Sequence, residues 1–323
     1  MKKLILLVLA FTFLGCFKTS NNKFEKKSSG IVIHGGAGTI LKKNLTKEKE
    51  KEYRQALSKA IRIGYDVLKN GGTSKEAVEK TINYMEDSPL FNAGKGSVYT
   101  EMETQEMDSS IMDGESGKGG AVAGVSKVKN PVLLARKVME KTEHVMLVGR
   151  GAEKFAKEIG IELVDPSYFY SEKNLKRVRK SKEDEKLGTV GAAALDQSGN
   201  LAAATSTGGR TNKMTGRVGD SPILGAGTWA QNGLCAVSGT GHEEYFMRLL
   251  TAADVCKLME YSGLSLEEST NLVVSKLTQA GAEGGIISID SNGNISAKFN
   301  TKGMARGYQT NQIPRTFRVY KKN

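Results

Sequence analysis

The apolar positions of this chain fall at two spacings, and the spacing changes at residue 189. Upstream, the helical period dominates. Residues 44–72 carry Ala56, Leu57, Ala60, Ile61, Tyr65 and Leu68 on one face, with Thr46 placed to cap the start and Gly71-Gly72 to end it. Thr73 and Glu76 read as a capping box that opens a second helix to about Met85. Before these helices, the β-branched run 31–34 is a strand entering a glycine turn at 35–38. After them, a loop at 86–97 leads to short strands around 109–112 and 121–125. Asn130-Pro131 opens a helix, and residues 144–149 lead into another at 151–160. Downstream of residue 189 the pattern is strand-like. Residues 189–196 and 200–207 flank an Asp-x-x-Gly-Asn turn at 196–200, which makes a hairpin. A similar unit returns at 284–290 and 295–299 around Ser291–Asn294. Between the hairpins, 234–239 reads as a strand, and 243–263 and 265–280 as helices. Small residues dominate the strands, which suits close packing of one sheet on another inside outer helices.

The segment at the junction differs from both halves. Eleven of the fifteen residues from Glu172 to Lys186 are charged, so 171–188 reads as an exposed, poorly packed loop. It ends in Gly188-Thr189. Were that bond cut, Thr189 would carry a hydroxyl nucleophile and an amine base on one residue. Taken alone, the junction is equally an ordinary loop before an ordinary strand.

Composition narrows the picture only a little. With 323 residues, 39% of them hydrophobic, the chain has ample material for a buried core. The net charge of +12 raises the question of nucleic acid or an anionic membrane surface. Lys and Glu are interleaved along the helices rather than gathered in a stripe, which argues against a nucleic-acid partner. The extreme N-terminus is a different matter. Two lysines, an apolar run from Leu4 to Leu14 and then Gly15-Cys16 form a secretory signal pattern. The run is short for a membrane-spanning helix. Cys16 resembles the lipid-bearing first residue of a bacterial lipoprotein, although Leu14 stands where a small residue is usual. Plain secretion and an uncleaved anchor are the alternatives. On this reading 1–16 is a signal peptide, 17–30 a flexible tether and 31–323 one folded domain. The protein is exported, and attached to a membrane if Cys16 is lipidated. Cys235 and Cys256, one in a strand and one in a helix, read as buried free thiols. His34, His144 and His242 have no metal-ligand spacing.

Three further segments give Thr189 a setting. Thr207 ends the second strand of its hairpin, and an antiparallel pairing brings that end beside Thr189. Arg217 and Asp220 flank a glycine turn. A guanidinium fork and a carboxylate so placed suit the two ends of an amino-acid zwitterion, or else simply pair with each other. Thr240-Gly241 lie between a strand and a helix, where a hydroxyl and a backbone N–H can hold an oxyanion. His242 beside them reads as structural.

Together these segments closely resemble the plant-type asparaginase and isoaspartyl peptidase family of N-terminal-nucleophile hydrolases. The resemblance rests on residues 33–38, 88–98, 107–114, 120–125, 130–136, 188–192, 206–227 and 238–244, and runs from about Ile31 to the C-terminus. It implies an α+β fold, a four-layer αββα sandwich. It implies autoproteolysis between Gly188 and Thr189 into chains 31–188 and 189–323, assembled as a dimer of αβ units. By the same resemblance Thr189 is the nucleophile and Thr207 polarises it. Arg217 grips the substrate α-carboxylate and Asp220 the α-ammonium. Val218 and Gly219 shape that turn, Thr240 and Gly241 form the oxyanion hole, and Asn92 supports the site beside the glycine loop from His34 to Gly38. The substrates implied are L-asparagine and β-aspartyl dipeptides. No cofactor is required, although the family holds a structural sodium ion on backbone carbonyls, here Met85, Glu86, Ser88, Phe91, Ala93 and Lys95. Glu243 departs from the family, which commonly has glycine there. Two alternatives remain at this point. One is a glycosylasparaginase, although those usually have Asp where this chain has Gly188. The other is a non-cleaving surface lipoprotein that uses the fold as a binding module.

Overall fold

A computed structural model describes residues 28–38, 46–180 and 188–320. The signal segment, Cys16 and most of the tether lie outside the described residues. In chain order the elements are β1 (Gly30–Gly38), α1 (Lys47–Lys69), α2 (Ser74–Glu86), β2 (Met107–Asp113), β3 (Gly119–Val125), α3 (Pro131–Lys141), β4 (Met146–Val148), α4 (Gly149–Glu158) and α5 (Glu172–Lys180). After the junction come β5 (Val190–Leu195), β6 (Leu201–Thr207), β7 (Thr228–Ala230), β8 (Cys235–Gly241), α6 (Glu243–Leu249), α7 (Thr251–Ser262), α8 (Leu266–Gln279), β9 (Gly284–Asp290), β10 (Ile295–Phe299), β11 (Gly303–Thr310) and β12 (Thr316–Tyr320).

The strands form two sheets. One has eight strands in the order β12-β11-β1-β5-β6-β2-β3-β4, the other four in the order β10-β9-β8-β7. Strand alternation decides which residues go where. In β5, Val190, Ala192 and Ala194 face the helices α1 to α3, while Ala193 and Leu195 face the second sheet. In β8, Ala236 faces the first sheet, while Cys235 and Val237 face α6 to α8. Three apolar layers therefore separate helix, sheet, sheet and helix, which is the αββα sandwich expected. The layer between the sheets mixes alanines such as Ala193, Ala203 and Ala236 with larger members such as Val32, Leu201, Ile287 and Ile289. Small side chains let hydroxyl groups and backbone from the two sheets meet, and the candidate chemistry lies there.

Several local expectations hold, although of the capping box expected at Thr73 and Glu76 only the Thr73 side-chain bond is formed. Thr46 caps α1 by accepting from Lys49 N at 3.2 Å, and Thr73 caps α2 by accepting from Glu76 N at 3.1 Å. Both hairpins turn on the same device: Asp196 Oδ1 accepts from Ser198 N and Asn200 N, and Asp290 Oδ1 from Asn292 N and Asn294 N.

Other expectations are corrected. Residues 172–180 are helical rather than loop. Asn174 is buried and donates to the carbonyls of Gly96 and Ser97, and Lys176 pairs with Glu172 one turn away. One buried amide thus docks a charge-rich segment, whose following residues 181–187 lie outside the described ones. The expected helix 243–263 is two helices, broken at Leu250 in a left-handed conformation with φ 49°. The break lets Ala252 N and Ala253 N bond the carbonyls of Ala226 and Gly225. Cys235 and Cys256 are not free thiols. The start of β8 packs directly under α7, the two Cα atoms are 5.6 Å apart, and the residues are joined by a disulfide. Finally, β11 and β12 follow residues for which no element was expected, and β11 pairs antiparallel with β1.

Candidate active site

The β5–β6 register runs Val190 with Ser206 and Gly191 with Thr205, so Thr189 stands opposite Thr207 at the open end of the hairpin. The Thr189 hydroxyl donates to Thr207 Oγ at 3.0 Å, and Thr207 Oγ also accepts from Gly209 N at 2.9 Å. Both threonines are buried; Thr189 is 2% exposed. The Thr189 carbonyl is held as well, accepting from His34 Nδ1 at 3.0 Å. His34 is fully enclosed, and burial lowers its pKa to about 3 against the opposing pull of the Thr189 carbonyl. The ring is therefore neutral at physiological pH. Because Nδ1 donates, Nε2 must accept, and its partner is the Ser238 hydroxyl at 2.9 Å. From Ser238 the chain of hydroxyls continues through Thr205 (2.7 Å) and Thr228 (2.6 Å) to Ser110 (2.8 Å). A string of neutral hydrogen bonds between the sheets thus ends on the nucleophile's own backbone.

Glycines make this approach geometrically possible. A Cβ on Gly191 would collide with Ser238 Oγ and with the His34 ring. Gly188 and Gly36 stack backbone to backbone, so that a Cβ on either would strike the other; Gly36 also has φ +102°. The peptide bond between Gly188 and Thr189 is therefore pressed against the glycine-rich end of β1, which is not the turn expected at 35–38 but strand, with a register shift between His34 and Ala37. The next residue of that segment, Ala37, points its N–H at Thr240 Oγ, 3.4 Å away. Thr240 lies at the end of β8, fully enclosed, and Gly241 packs against Gly284 of β9 too closely for a side chain. His242 is structural, its Nδ1 accepting from Glu283 N at 3.0 Å.

Arg217 and Asp220 do not pair with each other. Arg217 Nη1 donates to Glu243 Oε2 at 2.5 Å, and Nη2 to Glu244 Oε1 at 2.6 Å. Burial works against the Arg217 charge, yet the two glutamates hold its pKa above the ordinary value. Asp220 is 0% exposed, and neither of its carboxylate oxygens has a hydrogen-bond partner among the described residues. Burial and the Glu243 charge push its pKa well above the carboxylate range, with Arg217 opposing. A buried acid left in this condition is costly to the fold and is a ready receptor for a cationic ligand. Gly219, between the two, is buried and Val218 half-buried. Asn92 stands behind the site: its Nδ2 donates to Gly209 O at 2.6 Å and its Oδ1 accepts from Val98 N at 3.0 Å. Those bonds tie the loop at 92–98 to the backbone just after Thr207.

The sequence did not point to Asp108 or Lys213, nor to the side chain of Glu86, which it named only for its carbonyl. Asp108 is buried one strand over, opposite Thr207, and accepts from Gly124 N at 2.8 Å. Lys213 is buried and donates to Glu106 O. Glu86, at the end of α2, accepts from Ser206 Oγ at 2.6 Å and Val132 N at 3.0 Å. Burial raises its pKa to about 8. Nor did the sequence connect Ser110, Thr205, Thr228 and Ser238, since hydroxyl residues in strands are ordinarily a matter of β propensity.

Among the described residues no group of three or more His, Cys, Asp or Glu side chains is placed to hold a metal ion, and no helix is long and apolar enough to cross a membrane. The carbonyls named for a sodium ion belong to a tightly wound loop. Met85 O accepts from Ser88 N, Phe91 O from Ala93 N and Ala93 O from Gly96 N. Gly94 and Gly96 press against Glu86 O and Phe91 O so closely that neither has room for a side chain.

Known sequences bear on the same residues. The family described as asparaginase matches residues 27–317. The isoaspartyl peptidase of Escherichia coli (strain K12) is 47% identical over 294 residues, covering 86% of this chain and 92% of its own. The isoaspartyl peptidase/L-asparaginase of Xenopus laevis is 43% identical over 284 residues, covering 85% and 90%. That of Bos taurus is 41% identical over 284 residues, covering 85% and 91%.

Proposed function

The chain belongs to the asparaginase family, and from that premise we propose that it is a threonine-type amidohydrolase acting on the side-chain amide of aspartyl compounds, namely β-aspartyl dipeptides and L-asparagine. The observation that carries this reading is the Thr189 hydroxyl, 3.0 Å from Thr207 Oγ, on a residue whose carbonyl is anchored by neutral His34.

The enzyme makes its own nucleophile. The Thr189 hydroxyl attacks the carbonyl carbon of Gly188, and the Thr189 nitrogen leaves as the acyl group moves to oxygen. That shift, with the hydroxyl proton passing to nitrogen, frees the α-amine; water then hydrolyses the ester, returning the Thr189 hydroxyl and leaving Gly188 with a terminal carboxylate. The close stacking of Gly188 on Gly36 supports this step, because it restricts the backbone on the acyl side of the bond to be cut. The same stacking leaves no room for a larger residue before Thr189, which disfavours the glycosylasparaginase reading. The His34 bond is to the Thr189 carbonyl, on the side of the residue that is not cut. It therefore still positions Thr189 when the nitrogen becomes free.

The new α-amine has a reference pKa of about 7.7–8.0 and takes the hydroxyl proton when neutral. The hydroxyl attacks the substrate β-carbonyl. The Thr240 hydroxyl and Gly241 N–H hold the oxyanion, and losing one such donor costs about 10²–10³ in rate. Ammonia or an amino acid takes a proton and leaves; water then releases aspartate from the threonine ester. Asp220 receives the α-ammonium and Arg217 the α-carboxylate, with Val218-Gly219 shaping the turn.

Three further features belong to this proposal. The loop carbonyls from Met85 to Lys95 suit a hard monovalent cation such as sodium, which would stiffen the support of Asn92. The active form is a dimer of αβ units. The chain is exported and lipid-anchored through Cys16; the signal pattern and the Cys235–Cys256 disulfide both suit an oxidising compartment.

The test of function is hydrolysis by purified protein. Turnover of β-aspartyl dipeptides and L-asparagine, with two fragments on a denaturing gel, is expected. A persistent single chain with no turnover of either substrate rejects the reading and leaves the binding module.

A further inference from the structure

The charges at the start of α1 alternate along the sequence but not around the helix. Lysine and glutamate take turns from residue 47 to 52. Helical winding puts Glu48 and Glu52 on one stripe and Lys47, Lys51 and, three turns on, Arg62 on another. The basic stripe borders a groove of about 610 Å³ between α1 and β12. Six of the ten residues lining that groove are cations: Lys47, Lys51, Arg54, Lys59, Arg62 and Arg315. The acid among them, Glu50, accepts from Arg54 at 2.7 Å and from the Tyr320 hydroxyl at 2.9 Å. The groove therefore has a formal excess of five positive charges. Arg54 lies over the Phe317 ring and Lys59 over Tyr84. Lys47, Lys51 and Arg62 are exposed and have no ion pair among the described residues.

The place of the groove matters as much as its charge. Helix α1 packs on β1, β11 and β12, one edge of the eight-stranded sheet. The chain enters that same edge, because β1 begins at Gly30. Residues 17–27 add Lys18, Lys23, Lys26 and Lys27 against Glu25. Twelve residues separate Cys16 from Ser28, and at full extension they reach about 40 Å. That is comparable to α1 itself, whose 23 residues measure about 35 Å. At the other edge of the sheet the charges are paired: Arg136 with Glu79 and Glu140, Lys137 with Glu140 and Lys154 with Glu158. A nucleic acid would satisfy the charge of the groove as well as a membrane does. The attachment point on the same edge favours the membrane.

We propose that the groove between α1 and β12 is a membrane-facing surface for an anionic phospholipid bilayer. Its lysines and arginines take headgroup phosphates and lay this edge of the sheet against the leaflet. The orientation of the tethered protein rests on the lipid anchor proposed above. The affinity of the groove for anionic lipid does not.

The experiment measures cosedimentation with vesicles of phosphatidylcholine alone and of phosphatidylcholine mixed with an equal part of phosphatidylglycerol. All samples carry Cys16→Ser, so that no lipid on the protein contributes. Binding to the anionic vesicles and not to the neutral ones is expected. It should weaken as salt rises from about 0.1 M to about 1 M and the screening length falls from about 10 Å to about 3 Å. Lys47→Gln, Lys51→Gln and Arg62→Gln in one chain are expected to lower the partition coefficient by about 10²-fold, roughly fivefold for each basic residue at the surface. Turnover of a β-aspartyl dipeptide by this variant should stay at the wild-type rate, which shows that it is folded. Lys118→Gln, Lys141→Gln and Lys157→Gln remove the same charge from exposed positions by β3, α3 and α4. This second variant should lose less than about 3-fold, since its lysines lie beyond the screening length from the leaflet. No binding to anionic vesicles, or equal binding to neutral ones, overturns the proposal. So do equal losses in the two variants, because net charge alone would then be read. Unchanged vesicle binding in the groove variant also overturns it: a lower oligomeric mass by light scattering would then give the groove to a second copy, and a lost affinity for duplex DNA would give it to nucleic acid. Intact mass of protein with Cys16 in place tests the anchor separately. A chain without lipid there overturns the tethered orientation, whatever the vesicles show.

Discussion

The two halves of the candidate site are built on opposite principles. Around Thr189 the groups are neutral and satisfied. His34, Ser238, Thr205, Thr228 and Ser110 form one hydrogen-bonded string, and Thr207 is fixed by Gly209 N. Around Arg217 and Asp220 the groups are ionisable and crowded, and the Asp220 carboxyl is left without a hydrogen-bond partner among the described residues. The first half is complete before any substrate arrives, and the second lacks a cation. Preorganised neutral bonds hold a reacting atom in place without opposing the charge that develops there. An unsatisfied buried acid destabilises the empty protein and contributes binding energy only when its ligand enters.

Breaking the first half has the largest effect. Thr189→Ala is expected to leave the protein as one chain and to lower turnover of β-aspartyl dipeptides by about 10⁴-fold or more, as loss of a nucleophile does. Gly188→Ala leaves the nucleophile in place but puts a Cβ against Gly36 and Ala37. Its self-cleavage, followed on a denaturing gel over time, is expected to slow by about 10²-fold or more, the usual result of a misplaced reacting group. Material that is already cut should work normally.

Breaking the second half sharpens the comparison, because two readouts move in opposite directions. Asp220→Asn removes the receptor for the α-ammonium, and kcat/KM is expected to fall by about 10²–10³-fold. The same change removes a buried acid with no partner, so the thermal midpoint is expected to rise by about 2–4 °C. A lower midpoint would mean that Asp220 supports the fold and is not held in reserve for a ligand.

The smallest expected effect concerns Glu86, behind Thr207. Its folded pKa is raised to about 8, so from about pH 4.5 upward the unfolded chain releases a proton that the folded chain retains. The stability this provides is full below the unfolded value and is lost as pH rises through 8. The thermal midpoint of wild type should fall between pH 5 and pH 8, and Glu86→Gln should remove about 2–4 °C of that fall. An unchanged slope in the variant would place the titrating group elsewhere.

The nucleophile half was legible in the sequence because it depends on local order. Gly188-Thr189, the hairpin turn at 196–200 and Thr207 lie within twenty residues, and strand register alone brings the two threonines together. The charged half was legible only in outline. Arg217 and Asp220 stood out, but their mutual pairing was one of two open readings, and the sequence did not say that Glu243 and Glu244 hold the arginine. That contact depends on how α6 leaves β8, with the helix breaking at Leu250 to suit Gly225 and Ala226. The disulfide was missed for the same kind of reason. Cys235 and Cys256 are brought together by a helix packing on a strand, which spacing along the chain does not encode. Asn174 shows the converse, since one buried amide makes a helix of a segment whose composition argues for a loop.

The claim on which the rest depends is that the active protein lacks the peptide bond between Gly188 and Thr189. Intact mass measurement and N-terminal sequencing of purified, active protein test it most directly. The account predicts two polypeptides, the smaller one beginning at Thr189 and ending with the chain. A single unbroken chain that hydrolyses β-aspartyl dipeptides at full rate would contradict it.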